Sequence, residues 1–91
     1  MGSFKKVSEG MTILLFGITR DIVGKATLYI PLNDTRSIGS VGQLKSYLTG
    51  LFPALKDLTS LAVAVNSNYA SDKTPIKTTD EIALIPPVSG G

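Results

Sequence analysis

Beyond residue 10 the apolar positions fall into short runs with two different periods. Met11 opens the first run abruptly. Ile13-Leu14-Leu15-Phe16, inside residues 12–18, is apolar at consecutive positions, which predicts a strand buried on both faces and central in a sheet. Gly24-Lys25 marks a turn. Residues 25–32 then alternate, with Ala26, Leu28 and Ile30 on one side and Thr27 and Tyr29 on the other, as a half-buried strand should. These two strands are expected to form a hairpin with a long connection. At Ser40 the period changes. Val41, Leu44, Leu48, Leu51 and Phe52 recur at helical intervals, and Ser40 with Gln43 has the spacing of a capping box. Gly50 and Pro53 predict the end of that helix, with residues 54–59 as an irregular or single-turn connector.

The rest of the chain reads as strands. Residues 61–65 predict one, Asn66-Ser67-Asn68 a turn, and Tyr69-Ala70 a short edge strand. Thr78-Thr79-Asp80 predicts a turn into a last strand, Glu81-Ile82-Ala83-Leu84-Ile85. Pro86 and Pro87 stop it, because neither has an N–H to give to a ladder. The order β-β-α-β-(β)-β with one long helix predicts an α+β fold: a mixed sheet of four to five strands with the helix packed across one face. The strongly apolar first and last strands belong side by side in the middle.

Composition narrows the function. Ninety-one residues, 43% of them hydrophobic, suit one domain, which at this size buries roughly 60–65% of its unfolded surface. Residues 1–10 are polar and aperiodic and are expected to be a flexible leader or added extension, leaving residues 11–91 as the domain. Cysteine and histidine are both absent, which removes disulfides, thiolate nucleophiles, imidazole bases and the common zinc arrangements. No metal or bound cofactor is expected. No apolar run approaches the ~20 residues that span a bilayer, and Lys5-Lys6 is not followed by the apolar core of a signal peptide. A cytoplasmic protein without a membrane partner is the expectation. The net charge of +2 is spread along the chain, and its three Tyr and three Phe do not cluster with basic residues, so nucleic acid is not an expected partner.

Candidate chemistry concentrates at the last six residues, Pro86-Pro87-Val88-Ser89-Gly90-Gly91. The prolines hold φ near −65° and send the chain away as a stiff arm. Gly90 and Gly91 carry no Cβ and fit a narrow channel. From Val88 onward the reach is roughly 13 Å at ~3.3 Å per residue, enough to enter another protein's pocket while the body docks outside.

Several segments in register resemble the small subunit of molybdopterin synthase, the MoaD family of the ubiquitin-like β-grasp class. Phe16-Gly17-Ile18-Thr19-Arg20-Asp21-Ile22-Val23-Gly24 is similar to that family's Phe-Ala-x-x-Arg-x-x-x-Gly segment. Ala64-Val65-Asn66, Pro75-Ile76 and Asp80-Glu81-Ile82-Ala83 follow in the family's order, and Pro-Pro-Val-Ser-Gly-Gly resembles its characteristic ending. Thr79 stands where the family often has glycine, and Leu84 and Ile85 where it often has aromatic residues, so the turn at Thr79 is expected to be of another type.

The resemblance implies a ubiquitin-like β-grasp fold and a role as sulfur carrier in molybdenum cofactor biosynthesis. On that reading a ubiquitin-activating-like adenylyltransferase uses ATP to adenylate the Gly91 carboxylate. A sulfur donor enzyme converts it to a thiocarboxylate, and the molybdopterin synthase large subunit receives the tail for dithiolene formation. Pro86, Pro87, Val88, Ser89 and Gly90 thread it. Leu84 and Val88, with Phe16, are candidates for an apolar docking patch, buried core being the competing role, above all for Phe16. The chain alone is expected to catalyse nothing. A ubiquitin-like modifier, or a carrier for tRNA or thiamine thiolation, would use the same terminus, and a plain interaction domain would not need it. Arg20 reads as a local structural residue, and Asp80 and Glu81, adjacent on a strand, point to opposite faces and cannot form a catalytic pair.

Overall fold

Residues 10–58 and 61–86 are described by a computed structural model. β1 (Met11–Leu15) runs antiparallel to β2 (Thr27–Ile30), with Met11 opposite Ile30 and Ile13 opposite Leu28. Between them lies α1 (Ile18–Val23), a six-residue helix. α2 (Leu32–Thr35) follows β2, then α3 (Val41–Leu51) and a 3-10 turn (Pro53–Asp57). β3 (Ala62–Val65), β4 (Asn68–Ala70) and β5 (Ile82–Ile85) complete one five-stranded sheet in the order β2-β1-β5-β3-β4. β1 and β5 are parallel and the other pairs antiparallel. This is the α+β class expected, with the first and last strands adjacent and β4 at an edge.

One face of the sheet is filled by α3. Met11, Ile13 and Leu15 from β1, Ile30 from β2, Val63 from β3, and Ile82 and Leu84 from β5 are buried together with Val41, Leu44 and Leu48 of α3. Ile38, Leu55 and Ile76 close the ends of this cluster. The start of α3 is secured three ways. The Ser40 hydroxyl accepts from the Gln43 N–H, the Thr74 carbonyl from the Val41 N–H, and the Asp72 carbonyl from the Gly42 N–H, so three of the helix's unpaired donors are met. The Gln43 side chain reaches back to the Gly39 N–H at 2.7 Å, one residue earlier than a capping box would place it.

Several expected boundaries move. β1 ends at Leu15 rather than residue 18, because Gly17 takes φ 57°, ψ −135° and turns the chain into α1. Nor is β1 buried on both faces: Thr12 is exposed and Leu14 only half-buried. Residue 32, expected at the end of the second strand, opens α2. α3 runs through Gly50 to Leu51, and Leu51 is exposed rather than core. Glu81 precedes β5 rather than joining it. Gly10, assigned to the leader, is buried against Ile30. Thr79 is not among the residues with positive φ, consistent with a turn of another type. That turn is held instead by Asp80, whose carboxylate accepts from the Lys77 N–H at 2.8 Å and from the Asn66 amide at 3.0 Å. No helix among the described residues is long and apolar enough to cross a membrane.

Candidate functional site

The candidate site begins where β5 ends. In the parallel pairing of β1 and β5, Ile13 faces Ile82, Leu14 faces Ala83 and Leu15 faces Leu84. Carrying the same offset forward sets Phe16 beside Ile85 and Gly17 beside Pro86. The two strands part at this level. Pro86 has no N–H to extend the ladder, and Gly17 redirects its own strand into α1. Thr19 braces the junction from α1. It is fully buried, and its hydroxyl accepts from the Phe16 N–H at 3.0 Å, donates to the Phe16 carbonyl at 2.5 Å and lies 3.5 Å from the Leu84 carbonyl. β5 therefore delivers Pro86 from the middle of the sheet, with a neighbouring strand on each side.

The sheet face away from α3 is open and largely apolar. Register places one row across it: Leu14 of β1, Ala83 of β5, Ala64 of β3 and Tyr69 of β4. Two small side chains between two large ones leave a trough, a concavity of about 300 Å³ also lined by Phe16 and Ile85, with Ser67 and Glu81 on its polar side. Phe16 is 46% exposed and Tyr69 75%. Tyr29 adds a further exposed ring, paired with Thr12 on the same face. Among the lining residues the only ionisable carboxylate is that of Glu81.

The expected site residues are placed unequally. Leu84 cannot belong to a docking surface. It is fully buried, because alternation along β5 turns Ile82 and Leu84 into the core and Ala83 and Ile85 outward. Phe16, by contrast, is exposed beside the trough, so core is not its role. Pro86 is half-buried at the base of the tail, and Pro87, Val88, Ser89, Gly90 and Gly91 lie outside the described residues. Arg20 is exposed on α1, away from the trough. Sequence reasoning missed Ala64, Ala83 and Tyr69 as a set, since only pairing across three strands assembles them.

Two polar clasps hold the elements around this face and its opposite. Asn66 and Ser67 adopt φ of 53° and 72° in the β3–β4 turn. The Asn66 side chain accepts from the Glu81 N–H at 2.9 Å and donates to Asp80, tying that turn to the entry of β5. Hydrogen bonds from the Asn66 amide and then the Lys77 N–H hold the Asp80 carboxyl below its ordinary value of 3.8. On the far side Tyr47 donates to the Asp34 carboxylate at 2.7 Å, joining α3 to α2. That bond, with burial and the Asp34 charge, pushes the Tyr47 phenol up to about 12.

A five-stranded β-grasp sheet with a proline-ended central strand defines a class of protein, and sequence relationships place this chain within it. Residues 13–91 match the ThiS family. The chain is 36% identical over 90 residues to a molybdopterin synthase sulfur carrier subunit from Dictyostelium discoideum, covering 93% of this chain and 100% of that protein. It is 34% identical over 87 residues to a protein of the same name from Arabidopsis thaliana, covering 92% and 85% respectively. Its backbone superposes on the small archaeal modifier protein 1 from Methanosarcina acetivorans with a TM-score of 0.72 and 26% identity, over 90% of this chain and 96% of that one. The chain belongs to the ThiS family, and its fold is the ubiquitin-like β-grasp.

Proposed function

We propose that this chain is the sulfur carrier of a molybdopterin synthase. The observation that carries the reading is the position of Pro86: β5, flanked by a strand on each side, ends there, one residue past Ile85 of the trough, so the chain continues from one end of the open apolar face. The sequence relationship to carriers of that name supports it. A partner of the ubiquitin-activating kind directs the Gly91 carboxylate oxygen onto the α-phosphorus of ATP, releasing pyrophosphate and leaving an acyl-adenylate. Sulfur at the level of sulfide, HS⁻ released by the donor, then attacks the acyl carbon, AMP departs with the bridging oxygen, a proton is lost, and a thiocarboxylate remains. Its soft anionic sulfur is the nucleophile that the synthase large subunit directs at the pterin precursor; water then cleaves the acyl–sulfur bond, leaving the sulfur on the precursor and Gly91 as a carboxylate for reuse.

In this reading the body docks through the trough and the tail does the chemistry. Phe16 and Tyr69, both exposed, and the half-buried Ile85 bring apolar surface to the large subunit, and the hollow over Ala64 and Ala83 receives one bulky apolar side chain. Val88, Ser89 and Gly90 thread the partner's channel. The test is intact-mass analysis after incubation with adenylyltransferase, ATP and sulfur donor. Replacement of one oxygen by one sulfur is expected in the full chain and not in a chain lacking Gly91. A chain without Gly91 that still supports dithiolene formation would overturn the proposal.

A second reading, a protein modifier joined through Gly91 to lysines, is favoured by the likeness to the archaeal modifier. Omitting the sulfur donor separates the two. Lysine conjugates formed by adenylated chain would support the modifier.

A further inference from the structure

We infer that the trough reads its partner by charge as well as by shape: Glu81 pairs with a lysine or arginine that the large subunit presents beside its apolar anchor. The inference deepens the carrier reading and rests on it for the identity of the partner. Glu81 shares the outward phase of Ala83 and Ile85, since Ile82 and Leu84 between them face the core. Two residues of extended chain span ~7 Å, which sets the Glu81 backbone ~7 Å from Ala83 and ~14 Å from Ile85. The carboxylate therefore stands at the end of the trough away from Pro86.

Asn66 holds Glu81 in that place by both of its backbone polar groups. The Asn66 N–H donates to the Glu81 carbonyl at 2.7 Å, and the Asn66 side-chain oxygen accepts from the Glu81 N–H at 2.9 Å. The neighbouring Asp80 carboxylate is occupied within the chain, by the Asn66 amide and the Lys77 N–H. The Glu81 carboxylate is not. Among the described residues it makes no ion pair or hydrogen bond, the one salt bridge being Lys45 with Asp72, and no residue lining the trough is basic. The Ser67 hydroxyl adds a second acceptor on the same polar side. Covering the trough takes the carboxylate from water, and a charge so covered costs affinity unless an opposite charge meets it. A wholly apolar partner surface is therefore disfavoured, whereas an ammonium or guanidinium beside the anchor brings the donors that Glu81 and Ser67 lack. The chain as a whole carries +2, so the attraction arises at this contact and not from the field of the body.

Calorimetric titration of the full chain against the large subunit, at about 50 mM and about 500 mM salt, tests the pairing. At the lower salt Glu81→Gln should bind ~3–5-fold more weakly than wild type, and the gap should close to within about two-fold at the higher. Glu81→Lys should lose ~30-fold at low salt, because like charges then meet. Asp57→Asn removes the same charge from the 3-10 turn, outside the trough, and should bind as wild type does. Urea midpoints should agree across these variants, since Asn66 holds only the backbone of Glu81. Equal affinities of Glu81→Gln and wild type at low salt, or a loss of the same size at both salts, would overturn the pairing. Self-association of the wild-type chain that Glu81→Lys abolishes would also overturn it, by making a second copy the occupant. Phenethylguanidinium gives a readout that needs no partner protein. Followed by the amide shifts of Ala64 and Ala83 in nuclear magnetic resonance, it should bind wild type more tightly than Glu81→Gln, while phenethyl alcohol should not distinguish them. Equal binding of the guanidinium to both chains would overturn the proposal. A large subunit that does not bind the wild-type chain would count against the carrier reading, with the guanidinium titration still deciding the charge.

Discussion

Leu84→Ala separates the two faces of the central strand. Leu84 is fully buried, opposite Leu15 of β1 and Val63 of β3, both themselves buried. Ladders on both sides hold the backbone of β5, so the walls of the resulting cavity cannot close far. Leu→Ala substitutions at such sites cost ~2–5 kcal/mol, and the rigid surroundings put this one toward the upper half, ~4 kcal/mol. A domain of this size has a total stability of roughly 5–14 kcal/mol at ~0.05–0.15 kcal/mol per residue. The variant should therefore remain folded at room temperature if the parent is of average stability, with Tm lowered by ~15–30 °C at ~4–8 °C per kcal/mol. Urea unfolding at constant m measures the loss, and calorimetric titration against the large subunit, at a temperature where the variant is folded, measures docking. Affinity should be almost unchanged. A stability loss below ~1 kcal/mol together with a clear loss of affinity would refute the assignment of Leu84 to the core and reverse the faces of β5.

The opposite pattern is expected on the open face. Tyr69 is 75% exposed. Covering that ring removes ~150 Å² from water, a ceiling of ~4 kcal/mol at ~25 cal/mol/Å², of which association retains a part. Tyr69→Ala should weaken large-subunit binding ~10–100-fold with Tm nearly unchanged, and a variant that binds normally would remove Tyr69 from the interface. The Asp80 clasp makes a pH prediction. Its carboxyl is lowered in the folded state, so its stabilisation is complete above the ordinary value of 3.8 and is lost as pH falls through the folded value. Wild type should therefore exceed Asp80→Asn in stability at neutral pH, the gap narrowing only in acid below 3.8, as read by urea midpoints; a gap independent of pH would show that the charge is not what Asn66 and Lys77 hold.

Much of this architecture follows from local pattern. The helix at Val41–Leu51 was legible because its buried positions keep a 3.6-residue period and its start carries a serine that caps its own backbone, both properties of neighbours in sequence. The end of the central last strand before Pro86 was legible too, since a proline ends a ladder wherever it stands. The family was readable from short segments in register. α1 was not legible: six residues carry too little period, and what holds it is Gly17, Gly24 in the left-handed conformation and the buried Thr19 hydroxyl.

Tertiary structure alone decided which residues of β5 meet the core. Ile82-Ala83-Leu84-Ile85 is apolar throughout, and a run without alternation carries no phase, so nothing within it distinguishes Leu84 from Ile85. Pairing with Leu15 and Val63 supplies the phase, and a shift of one residue would exchange the two faces. The trough has the same origin, because Ala64 and Ala83 are unremarkable until antiparallel pairing sets them side by side between Leu14 and Tyr69. The meeting of Gly17 with Pro86 joins positions near opposite ends of the chain. Neither neighbourhood in the sequence contains the other, and only the parallel alignment of β1 with β5 brings the glycine and the proline ring together.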